Sequence, residues 1–409
     1  MLKLFISNPQ YRKFLFFQIF DGLSISTFAI CMMWAVHFQY QNTFYTGLAG
    51  VMFAIPAILN FVIGPFVDAR NKVTLIRLAC LGQLAVIVAL LVVPMFFELG
   101  VWFMLLGILA FSIVSLIAVP AGVALLPRIV GRNELVTANA LFGIVGTVIG
   151  VGVGMFLYAA LDRVGFEIVY AVVAALLVFA LISSAALKSV ETKNENDSRL
   201  ENYFVELKEG LSYAKRGVMM LLLLAFVVQD LIASVAYVNI PMLAQIHSGY
   251  ASGYVVMVFV ASMGGIIGSY LSKILEPKLQ LWKVFVGCFI FAGIARIIFV
   301  IIIVDNFLGS LFILLIYAGL GATIGIFSET LFQKMPPKHM VARINTIFVT
   351  LLGITSALGA FLGGVLGSTL PEIEMVFMIQ GSVYITIALF LSLFKRVRVL
   401  PKIGDIDES

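Results

Sequence analysis

The sequence predicts an all-α membrane protein whose twelve transmembrane helices form two pseudo-symmetric six-helix bundles. Hydrophobic residues make up 62% of the chain and charged residues only 11%, whereas soluble domains carry about 25% charged residues. The 409 residues accommodate twelve helices of about 20 residues, the length that crosses a hydrocarbon core of about 30 Å. The apolar stretches are continuous rather than alternating, which argues against a membrane β-barrel.

Windows of about 19 residues locate the individual spans. The first span follows Lys3, Arg12 and Lys13 and has no small-residue cleavage site, so we expect a retained helix rather than a signal peptide. The twelve predicted spans cover residues 14–37, 46–67, 74–95, 101–125, 138–160, 168–187, 218–245, 252–272, 283–304, 309–330, 344–367 and 375–394.

The distribution of positive charge predicts the orientation. Every Lys and Arg except Arg163 and Arg296 falls on the side of the N-terminus, and such residues stay on the cytoplasmic side. We therefore expect a multi-pass protein of the cell (inner, cytoplasmic) membrane with both termini in the cytoplasm. The net charge of +5 reflects this topology, so no nucleic-acid partner is expected.

A long polar stretch at residues 188–217 divides the spans six and six. It predicts an N-terminal bundle at 1–187, a cytoplasmic linker at 188–217, and a C-terminal bundle with a cytoplasmic tail at 218–409. The linker carries an amphipathic segment, for which a passive tether is favoured over a regulatory latch. The halves are weakly repetitive, since Leu125 to Asn139 aligns without a gap with Leu331 to Asn345, which favours a duplicated transporter.

Glycines recur every four residues in spans five and eleven. Small residues at this spacing let helix backbones approach closely, so both spans are predicted to pack tightly against neighbours. The glycines are Gly146, Gly150, Gly154, Gly359, Gly363 and Gly367.

The loop between spans two and three reads GPFVDARNK and is followed by Arg77. It resembles the signature loop of the major facilitator superfamily, and a degenerate copy, GSYLSK, lies between spans eight and nine. The segments YRKFLFFQIFDGLS and PAGVALLPRIVGRNELVTANAL are similar to the third drug:proton antiporter family, the macrolide-efflux-like branch. The resemblance implies the major facilitator fold, alternating access, and multidrug efflux with a role in antibiotic resistance. The resemblance also implies a signature loop that controls the change of conformation, formed by Gly64, Asp68, Arg70, Lys72 and Arg77.

Ionisable residues inside the spans are candidates for proton coupling. A charge at the centre of a span costs about 2.5–3.5 kcal/mol or more, so such residues are functional by default. Asp230 and Asp21 fit this role best, because a carboxylate removed from water favours its neutral form. The alternative for both is a neutral, hydrogen-bonded structural aspartate at a helix interface. Glu329, at the inner end of span ten, is a further candidate. A position at the membrane boundary, solvated beside Lys334, explains the presence of this charge equally well. Arg296 is expected to form a structural ion pair or to snorkel.

Polar and adaptable side chains on spans one and seven are predicted to line a substrate cavity. They are Gln18, Phe28, Met32, Gln229, Ser234 and Tyr237.

The sequence therefore predicts a monomeric exporter of small amphipathic molecules, partnered by protons and the lipid bilayer. No nucleotide-binding P-loop, catalytic constellation, metal site or cofactor site is recognisable, so no enzyme is expected. The alternatives are a lipid, lysolipid or siderophore exporter on the same scaffold, or a membrane sensor or scaffold without transport.

Overall fold

A computed structural model describes residues 6–68, 70–130, 166–187, 212–213, 217–248, 251–337, 341–402 and 405. The fifth predicted span, at 138–160, and almost all of the linker at 188–217 lie outside the described residues.

The described chain is helical throughout. Its helices, numbered in chain order, are α1 Pro9–Tyr40, α2 Thr43–Asp68, α3 Lys72–Val92, α4 Val101–Ile129, α5 Phe166–Ala185, α6 Gly217–Tyr237, α7 Ile240–Ser248, α8 Ala251–Leu275, α9 Leu281–Ile303, α10 Phe307–Lys334, α11 Val341–Thr369, α12 Glu374–Leu393 and α13 Lys395–Arg398.

Ten of the described helices are long and apolar enough to cross a membrane. Helix α2 adds a shorter apolar stretch at Thr43–Leu59. The prediction of an all-helical, multi-pass membrane protein is therefore confirmed.

Asparagine side chains begin several of the helices. Asn8 Oδ1 accepts hydrogen bonds from the backbone N–H groups at the start of α1, and Pro9 follows it. Asn71 caps α3 in the same way, and Asn306 caps α10. An asparagine cap accepts hydrogen bonds from backbone N–H groups that have no partner in the first helical turn. Proline at the first helical position has no N–H group that would need an acceptor. Short polar connections therefore define where the helices start.

The chain divides into two compact units. One comprises Met1–Gln41 and Ile55–Arg199, and the other comprises Asn42–Ala54 and Leu200–Ser409. In the first unit, the apolar core packs α1, α3, α4 and α5 around the rings of Tyr11, Phe14 and Phe17. In the second unit, helix pairs α8–α10, α9–α12 and α6–α11 pack face to face.

Glycines set the close approach of α11 to α6. A Cβ atom on Gly363 would overlap the carbonyl oxygen of Val235, and one on Gly359 would overlap that of Leu231. Only glycine lets the two backbones meet at this separation. The predicted tight packing of span eleven is confirmed, whereas the glycines of span five lie outside the described residues.

The seventh predicted span, at 218–245, is not one helix. Pro241 has no N–H to donate to the carbonyl of Tyr237, and α6 ends there. Asn239 bridges the interruption, because its Nδ2 donates to the carbonyl oxygens of Val235 (2.8 Å) and Gly363 (2.9 Å). The prediction of a continuous span is therefore wrong at this point.

Candidate functional site

Asp230 lies on the face of α6 that meets α11. Its Oδ2 accepts hydrogen bonds from Thr355 Oγ1 at 2.7 Å and Ser356 Oγ at 2.8 Å. Gly359, one turn further along α11, lacks the side chain that would push the two helices apart. The sequence predicted Asp230 as a candidate but missed these hydroxyl partners, which lie on a distant helix.

The hydroxyls around Asp230 can serve the carboxyl group in either protonation state. Thr355 Oγ1 also lies 3.0 Å from the carbonyl oxygen of Leu351 and 3.2 Å from that of Leu352. A hydroxyl has one proton and two lone pairs. It can therefore donate to an ionised Asp230, or accept from a protonated Asp230 while donating to its own helix. The Thr355 hydroxyl can therefore keep a hydrogen bond to Asp230 whether the carboxyl group is ionised or neutral.

Asp21 occupies a drier environment in the first unit. It is 4% exposed and lies beside Gln83 of α3, whose Nε2 donates to Ser115 Oγ of α4 at 2.9 Å. Among the described residues, neither Asp21 Oδ1 nor Gln83 Oε1 has a hydrogen-bond partner. Buried acceptors without a donor are unusual in folded proteins and mark this position as a candidate for function.

The other predicted site residues differ in their surroundings. Glu329 is exposed near the end of α10. Phe28 is fully buried and stacks on Phe111, with ring centroids 4.0 Å apart, and the equally buried Met32 accepts a hydrogen bond from the Tyr170 hydroxyl. These two residues therefore lie in the packed interior of their unit.

The remaining predicted cavity residues are accessible to different degrees. Gln18 on α1 is partly buried. Its amide nitrogen Nε2 would lie 3.5 Å from a Cβ atom added to Gly122 of α4. Gln229 and Ser234 on α6 are partly buried, and Tyr237 at the end of α6 is 46% exposed.

A buried cation occupies the middle of α9, and its surroundings were not predicted. Arg296 is 2% exposed and Nε donates to Gln380 Oε1 at 2.7 Å. Its guanidinium carbon lies 4.4, 4.7 and 5.1 Å from the ring centroids of Tyr317, Phe377 and Phe299. No described carboxylate forms a salt bridge with it, so the expected ion pair is absent from the described residues, and its burial excludes snorkelling.

Gln380 extends this arrangement into a polar chain. Because arginine can only donate, its partner atom on Gln380 must be the oxygen. The Gln380 amide nitrogen then donates to the Tyr317 hydroxyl at 2.8 Å, which lies 3.3 Å from the Tyr384 hydroxyl. Aromatic rings and neutral dipoles therefore stabilise the cation.

Comparison with known proteins identifies the family. The sequence profile described as Major Facilitator Superfamily matches residues 14–354. The chain belongs to the major facilitator superfamily. No individually curated protein matches the sequence.

Solved structures of superfamily transporters share the fold. A structure of the nucleoside transporter NupG superposes with a TM-score of 0.70 at 12% identity, covering 94% of this chain and 99% of that one. The peptide transporter POT in complex with sulfate gives 0.72 at 12% identity, covering 97% and 96%. A POT family transporter in complex with 5-aminolevulinic acid gives 0.74 at 11% identity, covering 95% and 96%. At these identities the likeness establishes the fold alone.

The predicted signature loop begins in the last turns of α2, which contain Gly64 and Asp68, and ends at Lys72, the first residue of α3. The side chain of Asp68 lies outside the described residues. Arg70 is exposed, and its carbonyl oxygen accepts a hydrogen bond from the buried Lys72 Nζ at 2.9 Å.

Arg77 caps a helix of its own unit. It donates to the carbonyl oxygens of Ser184, Ala185 and Leu187 at the end of α5, at 2.9–3.2 Å. A cation is favourable at a helix C-terminus, where backbone carbonyls lack partners. Arg77 therefore secures the segment that leads into the linker.

Proposed function

We propose that this superfamily member is a secondary active exporter that moves amphipathic small molecules out of the cytoplasm in exchange for protons. It acts as two six-helix bundles, at 1–187 and 218–409, with cytoplasmic termini, and alternates access across the membrane. Gln18, Gln229, Ser234 and Tyr237, which are all at least partly accessible, are the residues that we expect to contact the substrate. The predicted signature loop, which contains Asp68, stabilises the outward-open state.

The observation that carries the proposal is the hydroxyl environment of Asp230. A driving proton must bind in one state and leave in another, and only such a difference in binding free energy drives the alternation. Thr355 and Ser356 both donate to the carboxyl group, Thr355 can also accept from its protonated form, and Asp230 is partly buried rather than sealed from water. Asp21 is sealed more completely and is the second candidate for carrying the proton.

The test is gradient-driven uptake into inverted membrane vesicles, with ethidium, erythromycin and a fluorescent lysophosphatidylcholine as probes. Asp230→Asn keeps the size and hydrogen bonding of the side chain but fixes its charge at zero. We expect it to abolish uptake against a gradient, while binding of the transported probe to purified protein persists and loses its pH dependence. Asp21→Asn should do the same only if both sites share the proton.

Asp305→Asn is the matched control, because Asp305 is exposed after the end of α9. It should transport like the wild type. Wild-type accumulation and pH dependence in Asp230→Asn would refute the coupling role, and uptake driven by sodium without a pH gradient would identify a different ion.

A lipid or lysolipid exporter is the second candidate. An apolar groove of about 490 Å³ lies between α8 and α10, lined by residues that include Val260, Ile267, Leu311 and Leu315. A groove without polar groups suits an acyl chain better than a polar drug. Transport of the lysolipid without transport of ethidium or erythromycin would favour this candidate.

A further inference from the structure

The short helix α13, after the last long helix, carries a group of exposed cations. The side chains of Lys395, Arg396 and Arg398 form no hydrogen bond or salt bridge with another described residue. Between and beyond them, Val397 and Leu400 are buried, at 0% and 5% exposure. The helix is therefore fixed by its apolar side and presents its positive side outward.

Two hydrogen bonds hold this segment in place. The backbone N–H of Leu281, at the start of α9, donates to the carbonyl oxygen of Pro401 at 3.1 Å. Lys402 Nζ donates to the carbonyl oxygen of Pro277 at 2.9 Å. The cations are thus displayed on a preorganised element, which lowers the entropy cost of binding a ligand.

Two of the cations line a groove rather than an open surface. The groove, of about 570 Å³, is bordered by Lys395, Arg396 and Val399 on one side and by Gly217 and Val218 at the start of α6 on the other. An anionic group of matching size would meet two charged donors at once, and charge-assisted hydrogen bonds are the strong ones.

Apolar side chains continue away from the groove along α6 and along α12, the helix that precedes α13. On α6, Met220, Leu224 and Val228 follow one another at four-residue spacing, with exposed fractions of 42%, 45% and 37%. On α12, Leu389 and Leu393 are 56% and 75% exposed. A free phosphate ion gains nothing from apolar side chains nearby, whereas the two acyl chains of a phospholipid can lie along the two apolar stripes.

We propose that this groove is a binding site for an anionic phospholipid. The phosphate lies between Lys395 and Arg396, and the acyl chains follow the apolar stripes of α6 and α12. The site does not depend on the transported substrate or the coupling ion. Its charge complementarity selects anionic over zwitterionic lipids, since each Lys or Arg near an anionic headgroup adds to the attraction.

The test is lipid binding to the full-length, detergent-purified protein, measured by native mass spectrometry with phosphatidylglycerol and phosphatidylcholine. The wild type should retain phosphatidylglycerol preferentially. The double variant Lys395→Gln/Arg396→Gln should weaken phosphatidylglycerol binding by about 10-fold or more, with little change for phosphatidylcholine.

Lys273→Gln/Lys278→Gln is the matched control, because both lysines are exposed near the end of α8 and neither borders the groove. It removes the same charge and should change phosphatidylglycerol binding less than about 3-fold. An equal loss in both double variants would mean general surface attraction and would overturn the proposal.

A second measurement tests the proposal if the Lys395→Gln/Arg396→Gln variant folds poorly. Phosphatidylglycerol should raise the unfolding temperature of the wild type, because a ligand that binds only the native state stabilises it. Leu224→Asn interrupts an apolar stripe without touching the cations, and it should reduce this shift. Displacement of the lipid by inorganic phosphate at equal concentration would indicate a phosphate site and refute the lipid assignment.

Discussion

Arg296 in α9 has no anionic partner among the described residues, and it allows a prediction in which adding a buried charge stabilises the protein. Gln380→Glu places a carboxylate where the amide oxygen now accepts from Arg296 Nε at 2.7 Å. The Tyr317 hydroxyl, which now accepts from the amide nitrogen at 2.8 Å, can turn and donate to the new carboxylate. Both hydrogen bonds of residue 380 are therefore kept, and the cation gains a counter-ion.

The expected magnitude follows from what is already buried. A buried ion pair usually gains little, because both ions must be desolvated. Arg296 is already 2% exposed, so only the desolvation of the carboxylate is new, and the geometry for pairing is in place. We expect Gln380→Glu to raise the free energy of unfolding by about 1 kcal/mol. Gln380→Leu should lower it by about 2–4 kcal/mol, because a hydrogen bond to a charged group contributes about 1.5–3 kcal/mol and a buried donor is left unpaired.

The three free cysteines provide the assay. Cys31, Cys80 and Cys288 are buried, so a thiol-reactive fluorophore reports unfolding in detergent. Ser382→Ala is the control, because the exposed Ser382 hydroxyl donates to a carbonyl oxygen of its own helix. It should change the free energy of unfolding by less than about 0.5 kcal/mol. An unfolding midpoint of Gln380→Glu at or below that of Gln380→Leu would refute the view that Arg296 lacks an anionic partner.

Two further changes test the α6–α11 interface. Thr355→Val removes one of the two hydroxyls that donate to the membrane aspartate; we expect coupled uptake to fall but remain measurable in vesicles, because the neighbouring serine still donates, with a stability loss of about 1 kcal/mol. Gly363→Leu places a side chain against the carbonyl oxygen of Val235; overpacking should destabilise the protein by about 1–3 kcal/mol or more in thermal unfolding, and an unchanged midpoint would contradict the close approach described above.

The predictable part of this protein is what hydropathy and spacing record. Continuous apolar windows located the long helices, and the four-residue spacing of Gly359 and Gly363 indicated a close helix crossing. The interruption after Tyr237 was missed because a 19-residue average does not register a single proline, although Pro241 was visible in the sequence. A local search for helix-breaking signals would have found it.

The partners of the buried charges were unpredictable for a different reason. Asp230 meets Thr355 across 125 residues of sequence, and Arg296 meets Gln380 across 84. No local periodicity encodes such pairs, because they depend on which helices pack together. The available signal is compositional, since Gln380 is an amide side chain in a predominantly apolar helix.

The interruption bridged by Asn239 has a consequence for dynamics. The nine-residue helix α7 is too short to persist alone in water, and a side-chain amide joins it to the long helices beside it. Its backbone should therefore open as a local cooperative unit, at a lower free energy than global unfolding. In hydrogen–deuterium exchange, the amides of Leu243 and Ala244 should exchange well before those of Leu222 and Leu223 in α6, and Asn239→Ala should widen that gap.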